Sequence, residues 1–117
     1  FENSILSIDK NKNYDIIELE KKLIHIGYKK VETLTKPGEF VRRGDILDIF
    51  NLINKNPIRL DFFDTQIENI YQFDILTFEK IETKYEMKQT INSNNKLEKS
   101  EHSTIVKQNI KELVYAK

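Results

Sequence analysis

The sequence predicts an α+β fold, in which one amphipathic helix packs against a small antiparallel β-sheet meander. Between residues 15 and 27 the apolar side chains recur at helical spacing, whereas short extended runs alternate with turn signals between residues 38 and 73. The chain has 117 residues, which is enough for one compact domain and an appendage. We therefore expect the α+β domain over residues 1–82 and a separate segment over residues 83–117.

The helix is predicted over residues 16–26. Asp15 followed by Glu18 resembles a capping box, and Gly27 supplies a stop. The apolar stripe of this helix comprises Ile16, Leu19, Leu23 and Ile26. A helix with one such stripe needs an apolar surface to lie on, which the sheet would provide.

The strands are predicted from extended runs that turn residues separate. They are expected at residues 4–8, 30–34, 39–43, 45–50, 58–63 and 66–73, with one more strand or an exit segment over residues 74–82. Gly44 marks a bulge or bend between two of them. Because residues 45–50 carry apolar side chains on both faces, we interpret this run as a central strand that is buried on both sides.

The run over residues 58–63 carries the candidate site. Its even-numbered residues are all apolar and predict a core face, whereas Arg59, Asp61 and Phe63 share the opposite face because side chains alternate along a strand. An aromatic ring beside two charges suits a small protein-docking surface, since the ring provides an anchor and the charges set the orientation.

Three arginines, Arg42, Arg43 and Arg59, leave two interpretations open. They are either solvated strand residues that pair with carboxylates such as Glu39 and Asp61, or a patch whose guanidinium groups bind a partner's carboxylates or carbonyl groups. The aromatic ring next to them favours the second interpretation, because an aromatic residue on a charged face is either covered by the chain or available to a partner.

Composition and motifs argue against other classes of function. Lys and Arg together number 19, as do Asp and Glu, which argues against a dedicated nucleic-acid binder. Cysteine is absent, no phosphate loop or HExxH spacing occurs, and His25 and His102 are isolated. We expect no enzyme activity, no cofactor and no metal site.

No apolar run approaches the roughly 20 residues that span a bilayer, and no signal peptide is recognisable. We therefore expect a cytoplasmic monomer without direct membrane contact. The chain starts at Phe1 rather than at a methionine, which predicts a fragment of a longer protein.

Two segments resemble a known domain. They read LIHIGYKKVETLTKPGEFVRRGDILDIF and PIRLDFFDTQIENIYQFDILT. They are similar to the UvrA-interacting domain that the transcription-repair coupling factor (Mfd) shares with the excision-repair protein UvrB. The matching positions are 27–28, 38–40, 43–44, 48–50, 57, 59, 61–63, 67, 70 and 73–74. The resemblance covers roughly residues 1–82, and the runs IGYKKVETL and FDILT favour the coupling factor over UvrB.

The resemblance implies a function. Such a domain docks UvrA, so that a motor protein that displaces RNA polymerase stalled at a DNA lesion recruits nucleotide excision repair. RNA polymerase and DNA would be bound only by other parts of the parent protein, and any ATP-dependent translocase activity would belong there too. The UvrA contacts implied by the resemblance are Arg43, Arg59 and Phe63, with Arg42, Asp61, Gln66 and Tyr71 as peripheral positions. The open alternatives are the equivalent domain of UvrB and a small nucleic-acid-binding module.

Three positions depart from the family pattern. Asn51 stands where a proline usually follows DIF, which we expect to loosen the loop without touching the docking patch. Gln66 replaces a common acidic residue and Tyr71 a common arginine, so part of the contact is lost if either family residue touches the partner.

The segment after residue 82 does not show the family's continuation. Its polar run over residues 92–103 predicts a flexible linker. Ile105, Ile110, Leu113 and Val114 are spaced for one face of a short C-terminal helix.

Overall fold

A computed structural model describes residues 5–81 and 111–116 of the chain. In these residues, β1 (Ile5–Asp9) pairs with β8 (Lys111–Tyr115) as a two-stranded antiparallel sheet. A second sheet has six strands in the order β2-β3-β4-β5-β6-β7. These strands are β2 (Lys29–Lys30), β3 (Glu39–Arg43), β4 (Ile46–Phe50), β5 (Ile58–Phe63), β6 (Gln66–Phe73) and β7 (Lys80–Ile81).

Helix α1 (Ile16–His25) begins where the sequence predicts and ends one residue earlier. Asp15 is its N-cap, because the carboxylate accepts hydrogen bonds from the N–H groups of Ile17 and Glu18 at 2.9 and 3.2 Å. The predicted stripe packs inward, with its two central leucines fully buried. The part of the chain that the structure describes contains no helix long and apolar enough to cross a membrane.

The core lies between α1 and one face of the six-stranded sheet, which we call the core face. Its buried members are Ile8, Leu19, Leu23, Tyr28, Phe40, Leu47, Ile49, Ile58, Leu60, Phe62, Ile67, Ile70 and Val114. We call the opposite face of this sheet, which carries Arg59, Asp61 and Phe63, the outer face. The alternation predicted for β5 is thus confirmed, because its even-numbered residues are all buried in the core.

The bounds of the central strands also agree with the prediction. Strands β3, β5 and β6 have the expected bounds. Gly44 and Asp45 form the turn between Arg43 and Ile46, and Gly44 has a φ of 59°, which is unfavourable for residues with a Cβ atom. Residues 47–50 of β4 are all buried, as expected for a central strand covered on both faces.

The prediction of a purely antiparallel meander is wrong. The strand expected over residues 30–34 is reduced to β2, and β2 runs parallel to β3, so the sheet is mixed. The N–H of Val31 still donates to the carbonyl of Phe40 at 2.9 Å, but beyond it backbone groups of this segment bind side chains. The carboxylate of Glu39 accepts the N–H groups of Thr35 and Lys36 at 2.8 and 3.2 Å, and Arg43 donates to the carbonyl of Glu32 at 2.8 Å.

The predicted C-terminal helix is also wrong where the structure describes it. Leu113 and Val114 lie in β8, where Val114 is buried in the core and Leu113 is 40% exposed. A strand forms there because β1 offers its backbone groups for pairing over five residues. Ile105 and Ile110 lie outside the described residues, as does the predicted linker over residues 92–103.

Asn51 fixes its loop rather than loosening it, contrary to expectation. Its side chain is fully buried and donates from Nδ2 to the carbonyl of Leu113 at 2.6 Å. Its Oδ1 atom accepts the N–H of Tyr115 at 3.2 Å and the hydroxyl of Tyr28 at 3.3 Å. A proline at this position would make none of these bonds, so Asn51 ties the six-stranded sheet to β8.

Candidate protein-docking site

The register of the sheet brings most of the predicted site residues together on the outer face. Direct neighbours across β3, β4, β5 and β6 form two rows on this face. The first row is Val41, Asp48, Arg59 and Tyr71, and the second is Arg43, Ile46, Asp61 and Asn69. Phe63 and Gln66 form a further pair at the β5–β6 turn. Because neighbouring strands lie about 4.8 Å apart, the backbones of Arg43 and Asp61 are separated by about 10 Å. The three principal candidates therefore share one surface of modest size.

Phe63 ends β5 with its ring in solvent. Its side chain is 65% exposed, whereas Phe62 before it is buried. The chain turns immediately afterwards through Asp64, which has a φ of 58° and takes the place that glycine often occupies in a hairpin. This tight turn leaves the ring of Phe63 at the edge of the outer face, where a partner can cover it.

Arg59 is held by two hydrogen bonds to Asp48. Its Nε and Nη2 atoms donate to the two carboxylate oxygens at 2.8 and 2.9 Å, and Asp48 itself is only 3% exposed. The guanidinium also lies over the ring of Phe73, 4.9 Å from its centroid. The hydrogen bonds to Asp48 raise the pKa of Arg59 above its ordinary value. Arg59 is thus a rigid, charged element of this surface, and its carboxylate partner is Asp48 rather than Glu39 or Asp61.

Arg43 and Arg42 point to different sides of the sheet. Arg43 lies at the exposed end of β3 and belongs to the outer face, where its Nη2 atom donates to the carbonyl of Glu32. Arg42 forms an ion pair with Glu20 of α1, which is 6% exposed and also binds Lys30 at 2.7 Å. The structure therefore does not bring Arg42 to the outer face, because its guanidinium links the sheet to the helix.

The other peripheral candidates surround the Arg59–Asp48 pair. Tyr71 is the direct neighbour of Arg59 on β6, and the ammonium of Lys80 lies 5.2 Å from the centroid of its ring. Asp61 is half-buried in the next row. Gln66 is exposed beside the β5–β6 turn. Its backbone forms an isolated antiparallel β-bridge with Asn13, so it lies against the connection from β1 to α1.

Sequence reasoning missed Asp48 as a member of this site. The signal was present, since Asp48 lies in a strand whose other residues are all apolar, and a charged residue at such a position requires a partner. Periodicity alone does not say which arginine is that partner, because the pairing crosses from β4 to β5. In residues 5–81 and 111–116, no group of three or more His, Cys, Asp or Glu side chains is placed to hold a metal ion.

Comparison with known proteins identifies the family of this fold. The sequence model described as the UvrB interaction domain matches residues 6–105, which is most of the chain. The chain belongs to the UvrB interaction domain family. The family resemblance predicted from the GEF, DIF and FF elements is thereby confirmed.

The similar proteins include transcription-repair-coupling factors of several bacteria. The identity is 42% over 74 residues for the protein of Borreliella burgdorferi, which covers 63% of this chain and 7% of the relative. For Bacillus subtilis it is 38% over 66 residues, or 56% of this chain and 6% of the relative. For a Staphylococcus aureus strain it is 38% over 77 residues, or 66% of this chain and 6% of the relative. This UvrB interaction domain thus spans only 6–7% of the length of these relatives.

Proposed function

We propose that this UvrB interaction domain docks UvrA through its outer face, as one part of a transcription-repair coupling factor. Its role is then to recruit nucleotide excision repair to a site where transcription has stalled. The observation that carries the proposal is the exposed ring of Phe63 on the same face as the Arg59–Asp48 pair. The similarity to transcription-repair-coupling factors supports the choice of partner.

Each principal residue has a distinct role in this docking. Phe63 is the apolar anchor, because covering its ring removes a large apolar surface from water. Arg43 binds a carboxylate or carbonyl group of UvrA through its guanidinium donors. Arg59 is already oriented by Asp48, so little side-chain freedom is lost when the partner binds.

The same face explains the expected electrostatics of association. Arg43 is exposed on this surface and attracts an acidic group of UvrA, whereas the charge of Arg59 is largely balanced by Asp48. Salt weakens the attraction between exposed charges. We therefore propose that association is salt-sensitive, although the chain has no net charge.

The remaining functions lie outside this domain. We propose that the domain is not itself an enzyme, acts as a cytoplasmic monomer and needs no cofactor. Binding of RNA polymerase and DNA, and ATP-driven translocation, would be carried by the rest of a parent protein.

The test is a calorimetric titration of this chain against purified UvrA from the same organism. Phe63→Ala should weaken binding by at least about thirtyfold, which corresponds to an anchor worth about 2 kcal/mol. Ile24→Ala is the matched control, because Ile24 is 55% exposed on α1, on the other side of the sheet. Wild-type affinity in a folded Phe63→Ala variant removes Phe63 from the site, and no binding by the wild type refutes the function.

A further inference from the structure

Two more apolar side chains are exposed in the turn between β6 and β7. Leu76 is 86% exposed and Phe78 is 62% exposed. The ring of Phe78 stacks on that of Phe73, with centroids 6.1 Å apart and an interplanar angle of 21°. Phe73 is the ring over which Arg59 lies, so Phe78 is joined to the candidate site through one shared side chain.

The turn that carries these side chains is well ordered by hydrogen bonds. The carboxylate of Asp74 accepts the N–H groups of Leu76 and Thr77 at 2.8 and 3.0 Å. The carbonyl of Asp74 accepts the N–H of Phe78 at 2.7 Å, and the backbone N–H of Asp74 donates to the carbonyl of Glu79 at 2.9 Å. Leu76 and Phe78 are therefore presented in a preformed arrangement, which lowers the entropy that a partner has to remove on binding.

The backbone of Phe78 adds a second observation. Its φ is 64°, in the left-handed region that glycine and asparagine occupy far more easily than an aromatic residue. A turn that served only to connect β6 with β7 would be more stable with one of those residues. The large ring is present despite this strain and despite its exposure to solvent, which points to a role for the ring itself.

The two exposed rings lie toward opposite ends of the outer face. Phe63 is four residues from Arg59 along β5, which corresponds to about 13 Å. In the other direction, Phe73 is two residues beyond Tyr71, the direct neighbour of Arg59, which adds about 7 Å. Arg59 thus lies between Phe63 and Phe73, whose backbone positions are about 20 Å apart, and Phe78 stacks on Phe73. This span is within the width of a standard interface of about 800 Å² per partner.

We propose that Leu76 and Phe78 form a second apolar anchor for the same partner, so that UvrA contacts both ends of the outer face with Arg59 between them. This inference rests on the proposed docking function. The complementary surface of UvrA then has two apolar depressions about 20 Å apart, with a carboxylate or carbonyl group between them that accepts from Arg59.

The experiment compares Leu76→Ala, Phe78→Ala and Phe63→Ala in calorimetric titrations of the full chain against purified UvrA, with Ile24→Ala as the control. Leu76→Ala and Phe78→Ala should each weaken binding about tenfold, and Ile24→Ala should bind like the wild type. Thermal unfolding of each variant checks the fold. If Phe78→Ala does not fold, Leu76→Ala decides, because a side chain that is 86% exposed contributes little to stability.

The outcomes separate the two proposals. Weak binding by Phe63→Ala together with wild-type affinity in Leu76→Ala and Phe78→Ala overturns the second anchor and leaves UvrA docking intact. A lower melting temperature with unchanged affinity for Phe78→Ala, and unchanged affinity for Leu76→Ala, means that the ring of Phe78 only covers Phe73, which also overturns the second anchor. No binding by the wild type overturns both proposals.

Discussion

Replacing Arg59 by alanine should destabilise the domain as well as alter its proposed docking surface. The substitution removes both hydrogen bonds to Asp48 and leaves a carboxylate that is 3% exposed without its cation. Hydrogen bonds to charged groups contribute roughly 1.5–3 kcal/mol each, and breaking one partner of a buried ion pair costs about 3–5 kcal/mol. Loss of the cation–π contact with Phe73 adds about 0.5–1 kcal/mol. We therefore expect Arg59→Ala to lower the free energy of unfolding by about 3.5–6 kcal/mol.

The assay is urea unfolding monitored by circular dichroism. The urea midpoints of the variants are compared where the slope of the unfolding free energy against urea concentration is unchanged. Asp48→Ala and the double variant complete a thermodynamic cycle. Because the two residues bind each other, the double variant should lose at least about 2 kcal/mol less than the sum of the single variants. Arg59→Lys keeps the charge but not the two-point geometry, so it should be less damaging than Arg59→Ala.

A loss below about 1 kcal/mol for Arg59→Ala, or an additive double variant, would refute this reasoning, because the pair would then behave like an exposed surface ion pair. The expected result has a practical consequence for tests of the proposed UvrA binding. Failure of Arg59→Ala to bind would report a damaged fold as much as a lost contact. Arg59→Lys is therefore the better probe of the contact itself.

Two further predictions concern the buried polar groups. Asn51→Ala should cost about 2–3 kcal/mol, since two backbone groups of β8 lose their partner. Amide hydrogen exchange in β8 should be faster in Asn51→Ala than in the wild type, and by more than in the six-stranded sheet. Equal protection of β8 in the variant and the wild type would contradict this. For Glu39, burial raises the pKa of the carboxyl, but hydrogen bonds from Thr35 and Lys36 lower it below its ordinary value of 4.5. The stability from this lowered pKa is fully present above pH 4.5 and is lost as the pH falls through the lower pKa of the folded state. In Glu39→Gln, the urea midpoint should therefore fall less steeply than in the wild type as the pH is lowered below 4.5. The same pH dependence of the midpoint in both proteins would argue against this.

The local features of this domain follow from the amino-acid sequence. Apolar spacing and Asp15 defined α1, and turn residues defined the hairpins from β3 to β6. Alternation along β5 placed Arg59 and Phe63 on one face before any partner strand was known. These features depend on residues close together in the chain, because helix caps, turns and the alternation of side chains are set by neighbouring backbone angles.

The long-range pairings, in contrast, depend on how distant parts of the chain come together. Leu113 and Val114 fit a helical stripe as well as a strand, and only β1, about a hundred residues away in the chain, selected the strand. Likewise, Arg42 and Arg43 are adjacent in sequence, yet one is paired with Glu20 of α1 and the other lies on the outer face. Which carboxylate each arginine meets depends on strand order and register, and neither is a local property of the chain.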